Sequence, residues 1–263
     1  MPYRLIAIDL DDTLLGKDLV IAPRNLQAIR HAKEKGVIVT LATGRMHRSA
    51  AAVAQQIGIG GPIIAYQGAS VKNVTTGEVL VHYTVPLALA RDIIRVVKPY
   101  GYHINVYVND ELYMERLTEE GRRYAKLSGV EAHPVGDLRE FLKADPTKVV
   151  VISGEDQIEE LLQEMKPRFG AHLHVTKSKP VFLEFSHPRA TKGQALAFLA
   201  RYYGIDRREV MAIGDGYNDV DMVEYAGLGV VVGTARDEIK HRADYVTSSG
   251  EEGVAEAIEK FVL

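Results

Sequence analysis

The feature that most constrains this fold is a set of short runs in which apolar residues follow one another without alternation. "YRLIAIDL" (3–10), "GVIVTLAT" (36–43) and "GPIIAYQ" (61–67) stand near the start of the chain. "VMAIGD" (210–215), "GLGVVVG" (227–233) and a last short run, "DYVT" (244–247), stand near its end. A strand with one face in water alternates apolar and polar residues. A run apolar throughout suits a strand covered on both faces, as in a parallel sheet with helical crossovers. Helical periodicity fills the gaps at 23–35, 46–57, 193–203 and 251–261, with Pro23 suited to a first turn and Gly36 to a stop. This repetition predicts an α/β fold built on a doubly wound, mainly parallel sheet.

Between the two stretches the pattern changes. "EVLVHYTV" (78–85) and "YHINVYVNDELYME" (102–115) alternate like half-exposed antiparallel strands, the second broken by a turn at Asn109-Asp110. "TKVVVIS" (147–153), "HLHVTKS" (172–178) and "VFLEFS" (181–186) continue in that style, with a helix near 155–168. The expected organisation is a discontinuous core of residues 1–82 and 188–263, interrupted by an inserted α+β domain over 83–187, with "TVP" and "SHPRA" as hinges.

Composition narrows the functions open to such a chain. A length of 263 residues, 46% hydrophobic and 25% charged, suffices for a core with an insert. The net charge of −3, with more acids than bases in the insert, gives no general attraction to nucleic acid or an anionic membrane. The absence of cysteine excludes disulfides, thiolate zinc sites and cysteine nucleophiles. The first apolar run is cut short by acids, so there is no signal-peptide pattern, and no stretch approaches the roughly 18 apolar residues of a membrane span. A cytoplasmic protein is expected, in which the sequon Asn73-Val74-Thr75 goes unused.

Ligands in a doubly wound sheet sit outside the carboxyl ends of the strands, and four polar groups fall there or at helix starts. The first strand ends in Asp9-Leu10-Asp11, and the second in Thr43-Gly44-Arg45. Thr191-Lys192-Gly193 opens a helix, with Thr191 suited to the N-cap, and the strand at 210–214 runs into Asp215 and on to Asn218 and Asp219. Clustered carboxylates repel unless a cation neutralises them, and oxygen-only donors suit Mg²⁺. Thr43, Lys192 and helix N-termini suit an anion, most naturally phosphate. A hard divalent ion, anion donors and a further carboxylate together suit phosphoryl transfer.

"DLDDTLL", "TGR", a distant lysine and "GDGYND", in this order, resemble the four motifs of the haloacid dehalogenase superfamily, phosphatase branch. The large insert, "KGQAL" and "GDGYNDVDM" resemble its Cof-type members, which carry an inserted cap of the C2B type. The resemblance covers nearly the whole chain. It implies a Mg²⁺-dependent phosphatase acting on sugar phosphates or related small phosphorylated metabolites. Asp9 would be the nucleophile and would form an aspartyl-phosphate; Asp11 would protonate the leaving oxygen and then activate water. Mg²⁺ would be held by Asp9, the Asp11 backbone carbonyl and Asp215, with Asp219 supporting the metal or orienting Lys192. Thr43, Lys192, Asn218 and backbone N–H groups at Leu10, Asp11 and Gly44 would hold the phosphoryl group, with Arg45 reaching substrate or pairing with a core carboxylate. Many relatives have Gly in place of Asp12 and Asn in place of Gln67 and Thr234, departures that leave the catalytic four intact.

Competing readings are weaker. "GDG" lacks the third glycine of a dinucleotide loop, and no phosphate-binding P-loop is present. His172 and His174 have no third zinc ligand nearby in sequence. Tyr100, Tyr102, Tyr107 and Tyr113 read as core and surface of the insert. Glu184, near the return from the insert, is a candidate for substrate selection. A phosphomutase of the same superfamily shares these motifs. A phospho-aspartate signalling receiver is about half this length and has no cap by family resemblance, and Asp11 here stands two residues after Asp9, where a base that turns over the intermediate is needed. A monomer or small homo-oligomer is expected. Strand alternation puts Asp9 and Asp11 on one side and Asp12 on the other, where it would help form the turn.

Overall fold

The computed structural model describes residues 3–263. In chain order the elements begin with β1 (Leu5–Ile8), α1 (Pro23–Glu34), β2 (Ile38–Leu41), α2 (His47–Gln56), β3 (Pro62–Ala65), β4 (Ser70–Asn73) and β5 (Val79–His82). There follow α3 (Leu87–Val97), β6 (His103–Val108), β7 (Glu111–Met114), α4 (Glu119–Ser128), β8 (Ala132–Pro134), α5 (Leu138–Phe141), β9 (Lys148–Ile152), α6 (Glu155–Phe169), β10 (His174–Lys179) and β11 (Phe182–Ser186). The chain closes with α7 (Lys192–Tyr202), β12 (Val210–Gly214), α8 (Val220–Tyr225), β13 (Leu228–Val231), α9 (Asp237–Lys240), β14 (Tyr245–Val246) and α10 (Gly253–Phe261). Two compact units result: the chain up to Val81 with Thr191–Leu263, and His82–Ala190. Among the described residues, no helix is long and apolar enough to cross a membrane.

The first unit is built on a parallel sheet in the order β14-β13-β12-β1-β2. Its unbroken apolar strands are explained by what each face covers. Ile6 and Ile8 of β1 join Ala28, Ile29 and Ala32 of α1 and Val254 and Ile258 of α10 in one buried layer. Leu5 and Ala7, pointing the other way, join Leu196, Leu199 and Ala200 of α7 in a second. Each fully buried aliphatic side chain contributes about 1.5–3 kcal/mol relative to an exposed one. Both faces must therefore be apolar, and the doubly wound α/β architecture is as expected from the sequence.

One strand departs from that reading. β3 was expected as a third parallel strand, yet it pairs antiparallel with β4 in a separate sheet ordered β3-β4-β5. A parallel bridge between Ala42 and Ile64 ties it to the main sheet. Pro62 has no N–H for a ladder, and its carbonyl instead accepts from the Thr40 hydroxyl at 2.9 Å.

The second unit holds a six-stranded sheet in the order β10-β11-β9-β6-β7-β8. The β6–β7 hairpin turns at Asn109 and Asp110, with φ of +51° and +61°, the left-handed pair such a tight turn needs. The pairing is antiparallel apart from the short β8, which joins β7 in parallel. Ile104, Val106, Val149, Val151, Leu183 and Phe185 pack against α3 and α6. The opposite parity carries buried polar groups: Lys148 Nζ lies 3.1 Å from Glu184 Oε2, and Tyr107 donates to the Tyr124 hydroxyl at 2.8 Å. Glu184 is therefore committed to an internal ion pair, and Tyr107 to the interior. His172 and His174 are exposed.

Candidate active site

Asp9 directly follows β1, and its N–H continues the ladder to Ile213 O at 2.9 Å. The chain then coils, with Leu14 N and Leu15 N both donating to Leu10 O. The coil separates the three neighbouring acids. Asp9 is only 4% exposed. Asp11 is exposed and held in the fork of Arg45, whose Nε and Nη2 donate to its two oxygens at 3.0 and 2.5 Å. Asp12 is exposed in the left-handed region at φ +64°, where Asp is tolerated better than most residues.

Lys192 comes from the first turn of α7, which Thr191 caps by accepting from Gln194 N at 3.3 Å. Its side chain has no exposed surface, and its Nζ lies 2.6 Å from Asp9 Oδ1 and 2.5 Å from Asp219 Oδ1. The second Asp219 oxygen accepts from Asp215 N at 3.1 Å and Gly216 N at 3.0 Å, so one carboxylate both anchors the lysine and shapes the loop after β12. Thr13 donates to Asp215 Oδ1 at 3.0 Å. Thr43, fully buried at the end of β2, accepts from Arg45 N at 3.1 Å, leaving its hydroxyl hydrogen to donate. Asn218 is exposed and donates to the Gln67 side chain at 3.1 Å.

The electrostatics match this crowding. Burial raises the Asp9 carboxyl well above its ordinary value; Asp219 adds to the rise and Lys192 opposes it. Asp215 is pushed up to about 6, first by burial and then by Asp219. Burial alone would pull the Lys192 ammonium down, but Asp219 and Asp9 outweigh it and hold it above the usual lysine value. Ligand oxygens of Asp9, Asp215 and Asp219 all lie within 4.8 Å of one another. With one ammonium against three carboxylates, the fully ionised cluster carries two uncompensated negative charges. Hard oxygen donors with a charge deficit fit Mg²⁺.

The sequence-derived residues Asp9, Lys192, Asp215 and Asp219 thus meet in one cluster, with Thr43 buried at a neighbouring strand end. Arg45 is engaged with Asp11. The sequence reading noted Gln67 only as a departure from relatives and missed Thr13 and Asp221, whose Oδ2 accepts from Gly193 N at 2.8 Å and ties the start of α7 to α8. Thr13 lies in the coil after Asp9, where strand alternation gives no signal. Gln67 and Asp221 act through side-chain reach, which spacing does not record.

The sequence matches the family of haloacid dehalogenase-like hydrolases over residues 6–258. It is 30% identical to the 5-amino-6-(5-phospho-D-ribitylamino)uracil phosphatase YitU of Bacillus subtilis, over 99% of this chain and 97% of that one. Its fold superposes on a Thermotoga maritima protein, TM0651, with a TM-score of 0.91 at 33% identity, covering 99% of this chain and 98% of the other. A haloacid dehalogenase-like hydrolase from Bacteroides thetaiotaomicron gives 0.92 at 29% identity, over 98% and 99% of the two chains.

Proposed function

The chain belongs to the haloacid dehalogenase-like hydrolases, and from that premise we propose a Mg²⁺-dependent phosphatase that cleaves small phosphate monoesters through an aspartyl-phosphate on Asp9. As an enzyme it is a hydrolase of phosphoric monoesters. The observation that carries the finer reading is the buried Asp9–Lys192–Asp219 triad with Asp215 beside it. A fold retains such an uncompensated acidic cluster at a cost in stability, which a bound cation offsets.

An Asp9 oxygen attacks phosphorus while the ester P–O bond breaks, and Asp11 gives its proton to the departing oxygen. Water then attacks the phosphoryl group, losing a proton to Asp11, and the P–O bond to Asp9 breaks to release phosphate. Lys192, Thr43, Asn218 and the backbone N–H groups of Leu10, Asp11 and Gly44 neutralise and hold the phosphoryl oxygens. The residues that would hold Mg²⁺ are Asp9 and Asp215, with the Asp11 carbonyl, and with Asp219 positioning Lys192 behind them. When bound, the ion supplies Lewis-acid charge neutralisation. Release of Asp11 from Arg45 is required before the carboxyl can move protons, so Arg45 holds the acid/base between turnovers. The inserted unit acts as a C2B-type cap that selects the leaving group. The YitU relative is named for a phosphorylated ribityl compound, which makes polyol and sugar phosphates the first substrate class to screen. The working picture is a cytoplasmic monomer or small homo-oligomer with no nucleic-acid partner.

The test is phosphate release from an aryl phosphate and a panel of sugar phosphates, with EDTA and with Mg²⁺. Mg²⁺-dependent turnover that disappears in a folded Asp9→Asn variant is expected. Robust turnover by that variant removes Asp9 as nucleophile, and undiminished turnover in EDTA removes the metal.

A further inference from the structure

The loop after β3 has an unusual backbone. Tyr66, Gln67 and Gly68 have φ of +52°, +58° and +97° in succession. Left-handed geometry at two consecutive residues with large side chains is strain that persists only where the surroundings over-determine it. Here they do. Tyr66 N donates to Arg45 O and Gln67 N to Thr43 O, each at 2.9 Å. Gly68 lies so close to Thr191 that a Cβ there would stand 2.2 Å from the threonine carbonyl oxygen. The loop is thus braced by the turn after β2 on one side and by the residue before Lys192 on the other.

The Gln67 side chain exploits that placement. Its Oε1 accepts from Asn218 Nδ2 at 3.1 Å. Its Nε2 lies 2.5 Å from where a Cβ on Gly44 would stand. One half-buried carboxamide therefore spans the Thr43–Arg45 turn and the Asp215–Asp219 loop. Asn218 is exposed, and an exposed amide without a partner samples its rotamers freely. The bond to Gln67 fixes it and leaves its second N–H as a donor.

We infer that Gln67 is a positioning residue for the phosphate group, holding Asn218 and the bare backbone of Gly44 in the arrangement that receives an anion. The inference deepens the phosphatase reading and rests on it. Gln67 acts on binding of the phosphoryl group rather than on bond breaking, because it touches neither Asp9 nor Asp11 through any hydrogen bond in the structure.

The experiment measures inhibition by inorganic phosphate, with KM and kcat for an aryl phosphate. It compares wild type, Gln67→Met, Gln67→Gly, Asn218→Ala and the double variant Gln67→Met/Asn218→Ala. Methionine keeps the length of glutamine and its packing over Gly44 while removing the amide. Gln67→Met is expected to raise Ki and KM about three- to tenfold, the net worth of one neutral hydrogen bond, with kcat within about twofold. Asn218→Ala is expected to do the same, and the double variant to be no worse than the poorer single one, since strut and donor serve one contact. Gln67→Gly separates positioning from folding. It relieves the left-handed strain, so its melting temperature holds or rises while its Ki rises as in the methionine variant. An unchanged Ki in Gln67→Met, additive losses in the double variant, or a Ki that merely follows the melting temperature overturns the inference. A wild-type protein that releases phosphate from no ester, with or without Mg²⁺, overturns the phosphatase reading instead, so the two failures are distinguishable.

Discussion

Replacing Lys192 by Met tests how much of the first unit's stability depends on one buried ammonium. Its side chain has no exposed surface, and its two partners, Asp9 and Asp219, are 6% and 1% exposed at the side chain. Methionine is close in length and unbranched, so the substitution removes charge with little change in packing. Deleting one partner of a buried ion pair costs about 3–5 kcal/mol, because the charge left behind stays buried. Here two carboxylates lose the same partner, which places the expectation at the upper end. Against a total stability of about 5–15 kcal/mol that is a large fraction. The chain has no tryptophan, so far-UV circular dichroism in urea, with EDTA at pH 7, is the assay. At about 3 kcal/mol per molar urea the midpoint falls by about 1 M or more.

The same variant carries a pH signature. Asp9 already has its folded value raised by burial and Asp219, so the fold prefers the protonated form. Stability from such a group is complete below the unfolded value near 3.9 and is lost as pH rises through the folded one. Without Lys192 that loss grows at neutral pH, and acidification toward pH 4 brings variant and wild type together. A loss under about 1 kcal/mol at pH 7, as for an exposed ion pair, refutes the reasoning. So does a difference that fails to shrink on acidification.

Asp215 is expected to make the metal-free protein lose about 2–3 kcal/mol of stability as pH rises from about 4 to 6, since its folded value is pushed up to about 6 against an unfolded value near 3.9. Asp215→Asn flattens that part of a denaturation-against-pH profile measured in EDTA. Asp11→Asn should lower kcat by about 10² to 10⁴, the range of a proton-transfer contribution. Asp12→Asn should stay within about twofold, because Asp12 is exposed at a left-handed position that Asn also tolerates. Gly68→Ala should destabilise by more than about 2 kcal/mol in a thermal melt, since it adds a Cβ 2.2 Å from Thr191 O at φ +97°.

The parallel sheet was legible because burial on both faces leaves an unbroken apolar run, as in β1 and β12, whose residues do split between two helical layers. The pairing of β3 was not, since an apolar run does not record the direction of its neighbour. Helix α3 was not read, nor was α4, whose "EEGRRYAKLS" is mostly polar. The consequence reaches further than a missing element. Alternation marks His103, Asn105 and Tyr107 for a wet face, yet they are buried, and Tyr124 of α4 meets Tyr107 there. At the candidate site, polar groups following apolar runs were visible one by one. Which of them touch was not, and Arg45 shows why. Its position beside Thr43 suits phosphate, while its reach takes it to Asp11.

The three consecutive-looking acids of "DLDD" are therefore separated by burial rather than by sequence. Asp9 is enclosed with a lysine from far along the chain, Asp11 is exposed in the fork of Arg45, and Asp12 occupies a strained turn. Only the first contributes to the uncompensated charge of the interior. Lys192 neutralises part of that charge, and its own helix start is fixed by Thr191 and by Asp221. Residual repulsion among Asp9, Asp215 and Asp219 remains, because Lys192 holds Asp9 and Asp219 together and Asp219 is further pinned by Asp215 N and Gly216 N. Stability withheld at this point would be returned on binding of a divalent cation, which is how a site can trade folding free energy for binding.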